Sequence, residues 1–424
     1  MKNLFCINDT LANKISYYHL MCFLIALPFD TFYGDVVLIS FCIHTVLHIR
    51  KDWLLSLINK EFLLLIFLYV LTAIGFLYSH YKEDAISLLT RQLAIILFPI
   101  LFLLNEIDIK KYKFQLIKIF GITCTSVILF FYADAFCVIH YFHLPLSSLF
   151  NKEFINHNFS HVLDLHATYI SMYAAFSMSA FIYFFLTEKP LIKKIIYSIC
   201  IFILLAGLIQ LSSRAVILAT LIIIFIAFPF ILLQGKKRIQ FILVSLALFV
   251  VSFWIMSSTN SFKDRFTDQL KDDLTQPSAT NRLTEPRLVR WQAEVELIKQ
   301  SPVIGYGTGA EIEVLKNKYF EKKLYLSYLS EFNAHSQYLS FLLNLGMIGC
   351  GLFIFILCYG FYWAIKEKDI LLISFLVIIA VTAISEDILN LNKGIFFYGF
   401  FISLLLLFQD KEIKNISKKQ PHTL

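Results

Sequence analysis

The chain has 424 residues, 58% hydrophobic and 16% charged, with 44 Phe and a formal net charge of +7. Soluble proteins carry about 25% charged residues. Here apolar runs long enough to cross a ~30 Å hydrocarbon core recur from end to end. That excludes a soluble enzyme, and the placement of the positive charge in clusters beside the apolar runs accounts for it without nucleic acid.

Backbone groups in lipid must bond within their own segment, so the fold class is all-α, a polytopic integral membrane protein with about twelve transmembrane helices. In chain order the spans fall at 15–33, 36–49, 62–79, 86–104, 114–140, 163–186, 194–211, 214–233, 240–257, 336–363, 369–387 and 394–409. No cleavable signal peptide precedes the first, which is expected to act as its own signal. The eight cysteines lie mostly within apolar runs and form no CxxC pair, which suits small apolar packers.

With the N-terminus placed in the cytoplasm, the inner flanks receive 20 Lys and Arg and the short outer loops four. The positive-inside rule predicts that asymmetry. Both termini are then cytoplasmic, and the chain reads as 1–257 with nine spans, 258–335 as one large periplasmic loop containing short helices, and 336–424 with three spans and a cytoplasmic tail. The expected location is a bacterial inner membrane.

Within the loop, 258–283 is polar with no apolar period and is expected to be mobile. The stretch 284–300 reads as a helix, with Thr284 as cap and Pro286 near the first turn. Leu288, Trp291, Val295 and Ile298 form one apolar stripe. Arg287 and Arg290 are neighbours three residues apart. Two readings stand side by side: a helix lying on the membrane with solvated arginines and a Trp anchor, or a guanidinium pair for a pyrophosphate, whose oxygens a planar fork meets two at a time. Gly305-Tyr-Gly-Thr-Gly309 lacks the strand and βαβ setting of a nucleotide loop and reads as a bent turn returning the chain to the membrane. Asn333 reads as the cap of the tenth span, which puts His335 in its first turn. There the helix dipole favours neutral imidazole, suited to a general base near pH 7.

Other polar residues map to the same membrane face. Arg214 follows Ser212-Ser213 in a turn nearly too tight to be solvated. Arg91 lies inside the fourth span, where a charge suggests a function or an internal partner unless it snorkels to the interface. Asp164 and His166 begin the sixth span, and Glu386 and Asp387 end the eleventh. His157 and His161 stand at metal-ligand spacing, but no third ligand accompanies them, so they read as an outer-surface pair and no metal site is expected.

Taken together, these motifs resemble the O-antigen ligase and polymerase superfamily. Arg214 after its tight turn, Arg287-Leu-Val-Arg-Trp291 followed by Ser301-Pro-Val-Ile-Gly-Tyr-Gly-Thr-Gly309, and Asn333-Ala-His-Ser336 followed by Leu345-Gly-Met-Ile-Gly349 carry the resemblance. It spans roughly 60–410, with its diagnostic core at 210–350. It implies a GT-C-type membrane glycosyltransferase needing neither metal nor cofactor. The donor would be a glycan on undecaprenyl pyrophosphate, and the acceptor of a ligase a sugar hydroxyl of the lipid A core. His335 matches the family's essential histidine, Arg214 and Arg287 its functional arginines, with Arg290 an extra cation; His166 and Glu386 are softer matches and Arg91 a further candidate. The same motifs serve a polymerase and a protein O-oligosaccharyltransferase. A flippase or transporter is the reading from another class, but such sites sit near the bilayer midplane, where this chain lacks charge.

Overall fold

The computed structural model describes residues 2–49, 59–274 and 285–408. Each of the twelve expected spans coincides with a helix: α1 Leu11–Ala26, α2 Thr31–Leu47, α3 Lys60–Tyr78, α4 Lys82–Leu104, α5 Ile109–Tyr141, α6 Ala167–Thr187, α7 Leu191–Leu211, α8 Arg214–Leu232 and α9 Gly235–Ser257. After the loop helices α10 Arg287–Ile298 and α11 Glu311–Glu321 come α12 Gln337–Lys366, α13 Ile370–Thr382 and α14 Asn392–Leu406. Eight of these helices are long and apolar enough to cross a membrane, and α2, α13 and α14 are shorter apolar helices. The protein is an all-α polytopic membrane protein.

Local chemistry sets several boundaries. The first two expected spans meet at 33–36, but the chain turns earlier, at Pro28, and Asp30 caps α2 by accepting the Phe32 N–H. Asn59 caps α3, and Asp369 caps α13 through the Leu371 and Leu372 N–H groups. The second half of α8 runs in π register around Pro229, which cannot donate to the α-helical ladder. The expected eleventh span is shortened: α13 stops at Thr382, and 383–391 forms a linker without regular helix.

Helices α6, α13 and α14 lie deepest, with α6 packed on α5, α7 and α13, and α14 against α4. By contrast α9 buries none of its apolar window and packs mainly on the π half of α8 and the segment that follows it. That segment, part of the stretch expected to be mobile, is helical over 260–274, and Phe262 is buried against the Phe150 ring. Residues 275–284, including the expected cap Thr284, fall outside the described residues, as do Arg50, Lys51 and the C-terminal lysines from 409 onward.

The bundle has two chemically distinct ends. At one, Asp9 pairs with Lys111 and Tyr112, Lys113 with Asp369, and Lys118 and Lys193 with Glu188. At the other, the start of α6, the 383–391 linker and the large loop meet.

Candidate active site

The linker 383–391 is the platform of the site, and its carbonyls are held from below. Gln92 donates to the Leu389 carbonyl and Arg91 Nη1 to the Asn390 carbonyl at 2.8 Å. Arg91 therefore has an internal partner and braces the platform. The Tyr169 hydroxyl donates to the Asp387 carbonyl. The first turn of α12 caps itself on the same linker: the Gln337 N–H points to the Ala383 and Glu386 carbonyls, and Gln337 Oε1 accepts the Leu389 N–H at 2.7 Å. Glu386 and Asp387 thus leave the end of the expected eleventh span and sit in a bonded link between helices.

His335 lies directly over this platform. Its Nδ1 is 3.9 Å from Glu386 Oε2, an ion-pair distance longer than a hydrogen bond. The imidazole keeps 32% of its surface accessible and Glu386 13%. The helix position expected for His335 is not found. Helix α12 starts at Gln337 with Ser336 as its cap residue, and Asn333 Oδ1 instead accepts the His335 N–H in a local turn. His335 has φ +50°, a left-handed backbone outside the helix. The argument from the helix dipole therefore does not apply, and the neighbour that matters is the Glu386 carboxylate. A non-glycine residue in that conformation costs about 1–3 kcal/mol and persists only where its surroundings over-determine it.

Helix α10 lies across the top. Arg287 Nη1 donates to the Ser385 carbonyl at 3.3 Å, one residue from Glu386. Trp291 Nε1 donates to the Ala334 carbonyl at 2.7 Å, one residue from His335. The surface-helix reading fails here, because Arg287 ties α10 to the platform and Trp291 ties it to the segment carrying His335. The buried face is also not the apolar stripe: Arg290, Ala293, Glu294 and Leu297 point inward, while Val295 is exposed. Arg290 is enclosed, with its guanidinium 4.9 Å from the Phe332 ring centroid.

Burial pushes the Glu386 carboxyl up, but His335 beside it, together with His166 and Arg287, outweighs burial and holds its pKa below the usual value. Thr168 also donates to Glu386 at 3.2 Å. Burial drives His166 down to about 4, reinforced by His157, His335 and Arg287 and opposed by Glu386, so it is a neutral imidazole at pH 7. His157 belongs to this group rather than to His161. Its ring is 4.4 Å from that of His166, and its Nδ1 accepts the Ala167 N–H. Sequence spacing paired it with the wrong histidine; a partner nine residues on, across a loop, leaves no periodic signal. Arg214 begins α8 after the left-handed Ser212, and Gln210 just before this turn bonds Phe154 and Asn156, next to His157, which sets the turn at the same end of the bundle.

The glycine turn has a structural task. The Tyr306 and Gly307 N–H groups bond the Leu343 and Asn344 carbonyls of α12, and Met347 N–H bonds the Pro302 carbonyl. Gly346, at φ +64°, kinks α12 at this crossing. A Cβ on Gly305 would collide with the Leu343 carbonyl, and one on Gly346 with the Val303 backbone. The two glycine motifs therefore form one interlock that fixes the loop to α12.

Among the described residues no group of three or more His, Cys, Asp or Glu is arranged to hold a metal. Residues 199–355 match the Wzy_C family model, described as O-Antigen ligase. No curated protein matches the chain. The matched stretch contains Arg214, Arg287, Arg290 and His335, while Arg91, His166 and Glu386 come to the site from outside it. Over residues 199–355 the chain is thus similar to the O-antigen ligase/polymerase superfamily.

Proposed function

We propose that the protein is an O-antigen ligase of a bacterial inner membrane, transferring a glycan from undecaprenyl pyrophosphate to a sugar hydroxyl of the lipid A core on the periplasmic side. The observation that carries this reading is His335 beside Glu386, with Arg287 bonded to the adjoining residue. A carboxylate facing Nδ1 favours the tautomer with its proton there, leaving Nε2 as the base. His335 then takes the proton of the acceptor hydroxyl as that oxygen attacks the anomeric carbon, with inversion. The bond from anomeric carbon to phosphate oxygen breaks, and the lipid pyrophosphate leaves with its charge.

Arg287 and Arg214 stabilise the charge growing on the bridging oxygen, the part of the reaction that preorganised donors serve best. Arg290, being enclosed, contributes positive charge to the pyrophosphate from behind Arg287. Neutral His166 offers a hydrogen bond to the glycan or acceptor. In this scheme the guanidinium groups do the charge neutralisation, and no metal or cofactor takes part. The spacing of 3.9 Å suits a free enzyme whose catalytic contacts tighten on binding.

The test is deletion of the protein followed by analysis of surface lipids. Bare lipid A core is the expected result. Core bearing a single repeat would make the protein a polymerase, and intact lipopolysaccharide with unglycosylated proteins a protein O-oligosaccharyltransferase.

A further inference from the structure

His335 occupies an unfavourable backbone conformation, so something must hold it there. The two residues before it are gripped by carboxyl groups from different elements. Glu311, the first residue of α11, is 4% exposed, and its Oε1 accepts the Ala334 N–H at 3.3 Å. Its Oε2 accepts the Ser340 hydroxyl and, at 3.4 Å, the Asn344 side-chain amide. Asp387, also 4% exposed, accepts the Asn333 side-chain amide, and the same Asn333 receives the His335 N–H.

Both carboxyls are rooted in rigid structure. Asn344 Oδ1 accepts the Ala310 and Glu311 N–H groups at 3.0 and 3.2 Å, so α11 begins on α12 just beyond the glycine interlock. Asp387 belongs to the platform that Gln92, Arg91 and Tyr169 brace.

We propose that Glu311 and Asp387 are the two jaws of a clamp on Asn333-Ala334 that sets the backbone of His335 and thereby aims its ring at Glu386. Neither jaw touches the imidazole, so both are positioning residues. The clamp explains why the glycine interlock lies so close to the site: it transmits the position of α12 to the histidine. Burial raises both carboxyls above their usual range, and an amide side chain can keep the oxygen that faces the clamped segment, with the Ser340 hydroxyl turning to accept the amide N–H in place of Glu311 Oε2.

The inference deepens the proposed reading of His335 as a base, so its test needs a readout that does not require transfer. In purified full-length protein, the rate of His335 carbethoxylation by diethyl pyrocarbonate, read by peptide mass spectrometry, reports the exposure and aim of the ring. Glu311→Ala is expected to change that rate severalfold and to reduce glycan transfer by up to ~10²-fold with donor KM unchanged, the scale of a misplaced catalytic group. Glu311→Gln is expected to restore both. If Glu311→Ala does not fold, Asp387→Ala against Asp387→Asn makes the same comparison from the other jaw.

Unchanged His335 reactivity in the alanine variants would overturn the clamp, as would equal damage from the amide variants. A wild-type protein that transfers no glycan, with His335 reactivity still following the clamp residues, would overturn the ligase reading and leave the clamp standing.

Discussion

The two ends of the bundle use similar residues to opposite effect. At the lysine-rich end, charges close on each other: Glu188 accepts Lys118 at 2.5 Å, Lys193 at 2.8 Å and the Tyr197 hydroxyl at 3.1 Å. At the loop end the surface lysines still pair with Glu296, Glu321 and Glu331, but around the platform two arginines close on backbone carbonyls instead, Arg287 on Ser385 and Arg91 on Ser87 and Asn390. A guanidinium has five donors, and one bond to a neutral carbonyl leaves positive charge and further donors for an anion. An ion pair with a buried carboxylate would have cancelled that charge. Basic residues are thus closed on carboxylates at the lysine-rich end, whereas Arg287 and Arg91 bond neutral carbonyls at the other.

The contrast breaks most decisively at His335. His335→Ala is expected to abolish transfer while protein level and lipid-linked donor stay normal, checked by glycan transfer from isolated membranes; normal transfer would remove the catalytic assignment. Arg287→Lys comes next. It keeps the charge and loses the fork, and the expected loss in rate is about 10²–10³-fold, as for one missing transition-state donor. Near-normal kcat would mean that Arg287 only ties α10 to the Ser385 carbonyl. Glu386→Gln removes the charge facing His335 and keeps the Thr168 contact. An intermediate loss of about 10–10²-fold is expected, the lower range of acid–base effects. A pH–rate profile identical in shape and height to wild type would show that the carboxylate does not act on the imidazole.

How much of this was legible in the sequence follows from the range of each interaction. The helices were visible because apolar length is a local property, and a residue or two of polar chemistry, such as Asp30 or Asp369, moved only their ends. The loop-end residues were visible as a set because they share one membrane face. Their grouping was not. Glu386 reaches His335 across 51 positions of chain, and 383–387 looked like more helix because Ala383 and Ile384 continued the apolar run. The stripe assigned to α10 was wrong for a related reason. A helix buried against a charged platform puts Arg290 and Glu294 inward, and periodicity of apolar residues cannot report that. Glu311 carried one faint signal, a carboxylate immediately after a glycine turn.

Glu294 gives a subtler test of the loop end. It is fully buried, and neither of its carboxylate oxygens has a hydrogen-bond partner among the described residues. Burial first, then the negative neighbours Glu311 and Asp387, raise its carboxyl well above the usual range. A folded-state pKa above the unfolded one adds stability that is complete at low pH and lost as pH rises through the folded value. Glu294→Gln carries no such loss. Thermal midpoints in detergent should therefore diverge in favour of the variant as pH rises from 5 to ~9. A variant whose disadvantage grows with pH would mean that the carboxylate is needed in its ionised form, paired with the enclosed Arg290.

The smallest effect belongs to the lysine-rich end. Lys193 is 49% exposed, and its partner Glu188 retains Lys118 and Tyr197 when it is removed. Lys193→Ala should cost no more than ~1 kcal/mol, the range of an exposed ion pair, and leave transfer unchanged. The pair is screened by salt, so even this loss should shrink as ionic strength rises. A large loss of transfer would mean that the two ends are coupled through α6, whose C-terminus Glu188 follows. A small one means that a charge closed on redundant partners stabilises locally, without reaching the residues bonded to the linker carbonyls.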